Sequence, residues 1–315
     1  MLKPVVKIAV SGALIAWLFH TTNITELGHA LGKANPAIVF LGALALVGLS
    51  FVQTSRWLVV ARALTIRFGF LDSWIVVQIG TFFNQVLPSS IGGDAARIWR
   101  LQRSGVPLSR ALNSVALDRL VALLGVVVIV LAGMPILFEW TGDPAKRIGI
   151  AVLAAAILGG LTLLMVLDRV PLPRRLVETR AGRGANQLAR DARKIFLSPR
   201  YIAATLALSL FIHAGVSFVV WLIAQSVGVE ISIGECLILV PVVVLFSMVP
   251  VSIAGWGIRE GSMVVALGLV GVDRAPALAV SVLFGLALAV SGLPGAVLWL
   301  KSTQTTAVRE ATTGG

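Results

Sequence analysis

Long runs of apolar residues, separated by short polar stretches, occupy most of the 315-residue chain. A helix that crosses the hydrocarbon core of a bilayer needs about 20 consecutive, mostly apolar residues. The pattern therefore predicts six transmembrane helices, of which the first is short. The predicted spans are residues 5–19, 36–59, 109–138, 148–167, 201–227 and 276–300.

The first run follows two lysines, Lys3 and Lys7, as the apolar core of a signal peptide would. A retained first helix is nevertheless expected, because the rest of the chain is itself rich in membrane-length apolar runs.

Two further apolar stretches, 71–100 and 231–272, are interrupted near their middles by proline and glycine. Between the two lies the longest polar segment, 168–200, which is rich in arginine. Short basic connections stay on the cytoplasmic side of a membrane, so this segment and both termini are expected in the cytoplasm of a plasma-membrane protein. That orientation holds only if each interrupted stretch enters and leaves on the same side, as a re-entrant hairpin.

Composition excludes a water-soluble fold. The chain is 57% hydrophobic and 13% charged, and its mean hydropathy is +0.95, whereas soluble domains have about 25% charged residues. The net charge of +12 sits mostly between apolar runs, where it orients helices, and no nucleic-acid partner is expected. Cys236 is the single cysteine, so no intrachain disulfide can form.

The two interrupted stretches contain a repeated motif. Residues 88–93 read PSSIGG and residues 250–255 read PVSIAG, identical at four of six positions at an offset of 162. Chance similarity between loops rich in glycine and proline is the alternative. Two equivalent units of opposite topology are typical of inverted-repeat transporters, in which interrupted helices at matching positions mark the substrate site.

These observations predict an all-α polytopic membrane protein with about six transmembrane helices and two re-entrant, broken-helix hairpins in an inverted repeat. The chain is expected to form one membrane domain, residues 1–315. Within it, the first repeat covers 36–138 with its hairpin at 71–104, a basic cytoplasmic loop covers 168–200, and the second repeat covers 201–300 with its hairpin at 231–272.

A broken helix in a membrane exposes backbone donors that need partners. The first turn of the helix after each break carries free N–H groups and a positive dipole end, which suit a phosphate. Glycines at both breaks leave room for an anion to approach. They are Gly92, Gly93, Gly255 and Gly257.

Ionisable residues also occur inside predicted spans. Asp118 and Arg119 lie about ten residues into a span, ~15 Å along it, where an unpaired charge costs ~2.5–3.5 kcal/mol. We predict that Asp118 pairs with Arg97, or that Arg119 pairs with Asp94 or Glu260. A purely structural ion-pair cluster is the alternative.

Three other polar residues have local interpretations. Asn84 could cap the broken helix or contact ligand. Arg56 is interpreted as a snorkelling residue at the membrane interface, and His213 as a residue of helix packing. The sequence has no phosphate-binding loop, no His/Cys cluster with metal spacing and no Ser/His/Asp set, so neither enzymatic activity nor a cofactor or metal is expected.

Three motifs, in this order, carry a resemblance to a known family: residues 84–94 with Arg97, then residues 118–120, then residues 250–261. The chain resembles the lysylphosphatidylglycerol synthase transmembrane domain family, also called flippase-like. The resemblance implies a membrane domain that moves a modified phospholipid, or another amphiphilic lipid, between leaflets. Full-length synthases add further helices and an aminoacyl-transferase domain that this sequence lacks, so aminoacyl transfer is not expected.

The expected function is that of a lipid flippase acting on a phospholipid or similar anionic amphiphile. One alternative is an intramembrane transferase acting on a phosphatidyl or polyprenyl-phosphate headgroup, with Asp118 or Glu260 as base. The other is a small-anion transporter. The partners expected are the lipid substrate, anionic lipid at basic residues 169–200 and a separate lipid-modifying enzyme, and the sequence specifies no oligomeric state. The expected substrate-binding residues are Asn84, Ser90, Gly92, Gly93, Asp94, Arg97, Asp118, Arg119, Ser252, Gly255, Gly257, Arg259 and Glu260.

Overall fold

A computed structural model of the protein describes residues 12–13, 16–18, 20–87, 92–166, 169, 179–248 and 255–313. This part of the chain is helical and contains no strand. Its helices are α1 Ile24–Lys33, α2 Pro36–Ala63, α3 Phe70–Val86, α4 Gly92–Arg103, α5 Leu108–Trp140, α6 Pro144–Val166, α7 Arg180–Phe196, α8 Pro199–Ser226, α9 Ile233–Ser247, α10 Ile258–Gly268 and α11 Arg274–Thr313.

Among the described residues, four helices are long and apolar enough to cross a membrane: α2, α5, α8 and the Arg274–Lys301 part of α11. They match four of the predicted spans, and the span predicted at 148–167 falls largely within the 23 residues of α6. The protein is therefore a multi-pass membrane protein. Six spans remain a prediction, because most of residues 5–19 lie outside the described residues.

Capping residues lie at the starts of several of these helices. Asn35 accepts a hydrogen bond from the Ala37 N–H before α2, which starts with Pro36 at a position where proline loses no helical hydrogen bond. Ser232 and Glu235 form a reciprocal capping box at the start of α9. Such caps satisfy backbone donors that have no partner within the helix.

The same order of elements occurs twice along the chain. Adding 162 to the bounds of α2 gives 198–225, and α8 covers Pro199–Ser226. The pair α3 and α4 corresponds in the same way to α9 and α10, and α5 corresponds to α11. Each unit thus consists of a long helix, a two-helix hairpin and a second long helix. We call α3–α4 the first hairpin and α9–α10 the second hairpin.

Each hairpin packs against the last helix of the other unit. A Cβ at Gly295 of α11 would overlap the Gln78 carbonyl oxygen of α3, and a Cβ at Gly133 of α5 would lie 3.1 Å from Ile238 of α9. Gly133 and Gly295 are themselves 162 residues apart. Each hairpin therefore joins its own unit to the other one.

The basic segment predicted as a loop contains a helix. Only parts of it are described, and within them α7 runs from Arg180 to Phe196. Ala192 and Ile195 of α7 are fully buried in a cluster with Leu117 of α5. Asn113 of α5 donates a hydrogen bond to Asp191 at 2.8 Å, so α7 is docked beside the N-terminal third of α5.

Candidate arginine–aspartate site

The two helices of the first hairpin contact each other closely, on either side of the break. The Gly93 N–H donates a hydrogen bond to the Asn84 side-chain oxygen at 3.0 Å, so of the two roles open for Asn84 the structure shows helix capping. A Cβ at Gly93 would overlap the Gly80 carbonyl oxygen. Gly93 is therefore required for the contact between α3 and α4, a different reason from the open anion approach predicted above.

Asp118 is the centre of a buried ion-pair network. Its Oδ1 accepts a hydrogen bond from Arg56 Nε at 2.9 Å, and its Oδ2 accepts one from Arg97 Nη2 at 3.2 Å. The side chains of Asp118, Arg97 and Arg56 are 0%, 3% and 4% exposed. The predicted pairing of Asp118 with Arg97 is confirmed, and it joins the first hairpin to α5.

Arg119 is held by Asp94 at the start of α4. Its Nε lies 3.0 Å from Asp94 Oδ2 and its Nη2 lies 2.9 Å from Asp94 Oδ1, a two-pronged geometry that orients the guanidinium. The predicted pair of Arg119 and Asp94 is confirmed. Asp94 Oδ1 is also 3.8 Å from Arg97 Nη1, so all the pairs form one network. We call it the arginine–aspartate cluster, and its members are Arg56, Asp94, Arg97, Asp118 and Arg119.

The interpretation of Arg56 as an interfacial residue is wrong. It lies seven residues before the end of α2, about 10 Å from that end, a distance at which a long side chain can reach either the interface or a buried partner. Its Nη1 instead donates to Ser209 of α8 at 3.3 Å. No local sequence pattern indicates this pairing, because the partner carboxylate is 62 residues away.

His213 is a packing residue, as predicted. Its Nε2 lies 3.2 Å from the Ala122 carbonyl oxygen of α5 and the side chain is buried. It links α8 to α5 one turn beyond Ser209.

The arginine–aspartate cluster carries three positive and two negative charges. Arginine stays protonated in proteins, so the cluster has one positive charge in excess. Arg119 is its accessible member, with a side chain 41% exposed against 3% for Arg97. Its Nη1 donates to no residue that the structure describes. The arrangement can therefore accept one anionic group, such as a phosphodiester, at Arg119.

The second hairpin resumes its helix through two glycines in the left-handed region. Gly255 has φ +80° and Gly257 has φ +91°, values that a residue with a Cβ adopts only with strain. Glu260 folds back so that its Oε2 accepts a hydrogen bond from the Gly257 N–H at 2.6 Å. Its Oε1 accepts one from Arg259 Nε at 3.0 Å. Both side chains are buried, and we call them the Arg259–Glu260 pair.

Arg259 is enclosed by aromatic rings and by a glycine. Its guanidinium lies 4.5 Å from the centroid of the Trp256 ring and 6.0 Å from that of Phe284, and a Cβ at Gly285 of α11 would overlap it. Arg97 likewise lies 4.5 Å from the centroid of the Trp57 ring. Cation–π contacts of this kind strengthen when they are desolvated.

The two charged groups are separate. No ion pair joins them among the residues with described side chains. The Cβ position of Gly80 contacts Arg97, and on either side of Gly80 the residues Gln78 and Phe82 pack against Gly295 and Gly292. On α11, Arg259 contacts Gly285, seven to ten residues, or about 10–15 Å, before the glycines that contact the first hairpin. Of the partners proposed for Arg119, the structure shows Asp94, whereas Glu260 pairs with Arg259.

Two predicted site residues fall in parts of the chain that are not described. Ser90 and Ser252, with Pro88 and Pro250 of the repeated motif, lie outside the described residues. Gly92 begins α4, where its Cβ position contacts Leu87.

Comparison with known proteins identifies a family. Residues 5–295 match the family described as "Lysylphosphatidylglycerol synthase TM region". A search of curated proteins found no match. The matched range includes both hairpins, the arginine–aspartate cluster and the Arg259–Glu260 pair.

Proposed function

The chain belongs to the lysylphosphatidylglycerol synthase TM region family, and from that premise we propose that it moves a phospholipid, or a similar anionic amphiphilic lipid, between membrane leaflets. The observation that carries the proposal is the arginine–aspartate cluster with its accessible Arg119. The phosphate of a phospholipid carries one negative charge, which would balance the one excess positive charge of this cluster.

Depth in the membrane supports a polar path at Arg119. The residue lies eleven positions after Leu108, the first residue of α5, which is about 16 Å along the helix. An arginine at such a depth faces a polar interior rather than lipid. Since Asp94 holds the guanidinium in a fixed orientation, Arg119 can offer its remaining N–H groups to phosphate oxygens without reorganisation.

The proposed path needs two re-entrant hairpins that enter from opposite faces. Helix α3 has 17 residues and α4 has 12, about 25 and 18 Å, and both are shorter than the ~30 Å hydrocarbon core. The corresponding helices α9 and α10 have 15 and 11 residues. Interrupted helices at matching places in two units are where inverted-repeat transporters bind substrate.

The basic composition of α7 supports one membrane orientation. We place this arginine-rich helix, and both termini, on the cytoplasmic side of the plasma membrane. Its basic residues would attract anionic headgroups, at about 1 kcal/mol per charge near the surface. The arginine–aspartate cluster then lies on the cytoplasmic side of the Arg259–Glu260 pair, and a headgroup would pass from one to the other while its acyl chains stay in the bilayer.

Lipid movement can be measured in vesicles that contain the purified protein and a fluorescent phospholipid, by quenching the outer-leaflet dye. Arg119→Gln removes a charge-assisted hydrogen bond worth ~1.5–3 kcal/mol, so the rate is expected to fall about 10- to 100-fold. The matched control is Arg62→Gln, an exposed arginine in the last turn of α2. Equal rates for both variants, at equal amounts of folded protein, would refute the site.

The same vesicles separate this function from its alternatives. For a transferase, mass spectrometry would find lipid of altered mass after incubation, whereas a flippase returns lipid unchanged. For a small-anion transporter, radiolabelled inorganic phosphate would accumulate in the vesicles at a rate that Arg119→Gln reduces. The flippase proposal expects neither result.

A further inference from the structure

A cavity of about 380 Å³ lies beside the second hairpin, between α9, α10, the end of α5 and the start of α6. Ten of its twelve lining residues are glycines or have apolar side chains, among them Leu239, Phe246 and Val265. The two polar exceptions are Thr141 and Ser262. A cavity with such a lining accepts apolar ligands.

The size and shape of the cavity fit a chain rather than a compact molecule. Along α10 its lining runs from Gly261 to Leu269, eight residues or about 12 Å. An engineered apolar cavity of about 150 Å³ holds one benzene, so by proportion this one holds roughly fifteen carbon atoms. Among the molecules that surround a membrane protein, a lipid acyl chain has this length and chemistry.

Thr141 indicates that the ligand of this cavity also carries a hydrogen-bond acceptor. The residue lines the cavity and is 1% exposed. Its hydroxyl has no hydrogen-bond partner within the described part of the chain, and buried hydroxyls in native proteins nearly always have one. A ligand that pairs an acyl chain with a hydrogen-bond acceptor would satisfy both the cavity and the hydroxyl.

We propose that this cavity binds one acyl chain of a glycerolipid, and that the Thr141 hydroxyl donates a hydrogen bond to the ester carbonyl of that chain. Thr141 directly follows Trp140, at the end of α5 that faces outward in the proposed orientation. The ester would then lie toward the outer surface and the methyl end of the chain would lie near Phe246 and Gly261.

The position of the cavity suits a step of lipid movement. Gly261 directly follows the Arg259–Glu260 pair, so the inner end of the cavity adjoins the second charged group. This step rests on the proposed function: the cavity would hold a chain of the lipid at the outer end of the path. Chain binding itself can be tested without any lipid movement.

The test is photocrosslinking in detergent, with about two molecules per protein of a phosphatidylcholine that carries a diazirine in one acyl chain. Peptide mapping is expected to find adducts on cavity residues such as Val242, Phe246 and Val265, and few on Leu286, a 48%-exposed residue of α11. Val265→Trp is expected to reduce the cavity adducts at least fivefold. Since Val265 is 58% exposed, a larger side chain fits there without disturbing the core.

Leu286→Trp is the matched control and should leave the cavity adducts unchanged. Adducts spread equally over the cavity and Leu286, or cavity adducts that survive Val265→Trp, would overturn the site.

Thr141→Val tests the hydrogen bond, because it keeps the shape of the side chain and removes the hydroxyl. Labelling by the ester lipid is expected to fall about threefold to tenfold. An ether-linked lipid without the carbonyl should label the wild-type protein as weakly as the ester lipid labels Thr141→Val, and the substitution should not reduce its labelling further. Equal labelling of both proteins by the ester lipid would remove Thr141 from the site.

The two proposals fail in different ways. If cavity labelling follows these expectations while vesicles show no lipid movement, the acyl-chain site is supported and the flippase function is refuted. If vesicles move lipid but Val265→Trp does not reduce the cavity adducts, the flippase function is supported and the acyl-chain site is refuted.

Discussion

Arg97 and Arg259 are 162 residues apart, at equivalent positions of the two hairpins, and each guanidinium lies 4.5 Å from the centroid of a tryptophan ring. Their counter-ions differ. Arg97 pairs with Asp118 on a long helix, whereas Arg259 pairs with Glu260, its neighbour in the same hairpin. The first hairpin is therefore tied by charge to α5, while the second has its charge neutralised within itself.

Asp118→Asn should destabilise the protein strongly, because Arg56 and Arg97 both lose their shared carboxylate and stay buried. Breaking a buried pair from one side typically costs ~3–5 kcal/mol, and thermal unfolding in detergent should show a large fall in Tm. Asp72→Asn, at an exposed position in the first turn of α3, should change stability by less than about 0.5 kcal/mol.

The double variant Arg97→Gln/Asp118→Asn should lose less stability than the sum of the two single variants, because residues in one network are not additive. Strict additivity would show that the coupling energy between Arg97 and Asp118 is zero.

Gly93→Ala should separate the two helices of the first hairpin. Its Cβ would overlap the Gly80 carbonyl oxygen, and overpacking usually costs ~1–3 kcal/mol, occasionally more. Gly160→Ala on α6 is the control, because no atom lies within 4 Å of its Cβ position. A Tm for Gly93→Ala equal to that of Gly160→Ala would mean that the backbones are not in contact.

Docking of α7 should weaken in acid. Burial alone would raise the pKa of the Asp191 carboxyl, but hydrogen bonds from Lys194, Asn113 and Gln187 prevail and lower this pKa. A carboxyl with a lowered pKa stabilises the fold above its unfolded-state pKa of about 3.9. That contribution is lost as the pH falls through the lower, folded-state pKa.

The difference in Tm between the wild type and Asp191→Asn should accordingly be largest above about pH 5 and shrink below about pH 4. Lys194→Met, which removes one donor, should show the same trend to a smaller degree. A difference that grows on acidification would contradict the sign of this shift.

Cysteine accessibility should reveal the opposed insertion of the hairpins. In a Cys236→Ala background, single cysteines at Phe70 and Arg103, the two ends of the first hairpin, should react with impermeant maleimide from the cytoplasmic side. Cysteines at Ile233 and Gly268, the two ends of the second hairpin, should react from the outside. Reaction of all four from one side would exclude an inverted repeat, and reaction of Phe70 and Arg103 from different sides would exclude a re-entrant first hairpin.

Much of the site could be predicted from local pattern. The depth of Asp118 and Arg119 in a long apolar run requires partners, and the motif at the first break supplied Asp94 and Arg97 as candidates. Arg56 was missed because a side chain near the end of a span can lie at the interface or turn inward. Which of these it does depends on where α5 and α8 lie, and no local pattern specifies that.

By itself, the sequence determined that the protein is embedded in a membrane, which residues form its long helices, and that two similar breaks recur 162 residues apart. Each of these features depends on residues close in the chain. Only the tertiary structure decided that Asp118 neutralises two arginines from different helices, that Arg119 stays accessible, and that Thr141 lines an apolar cavity. The physical reason is that buried charges are neutralised, and cavities are formed, by side chains brought together from distant parts of the chain.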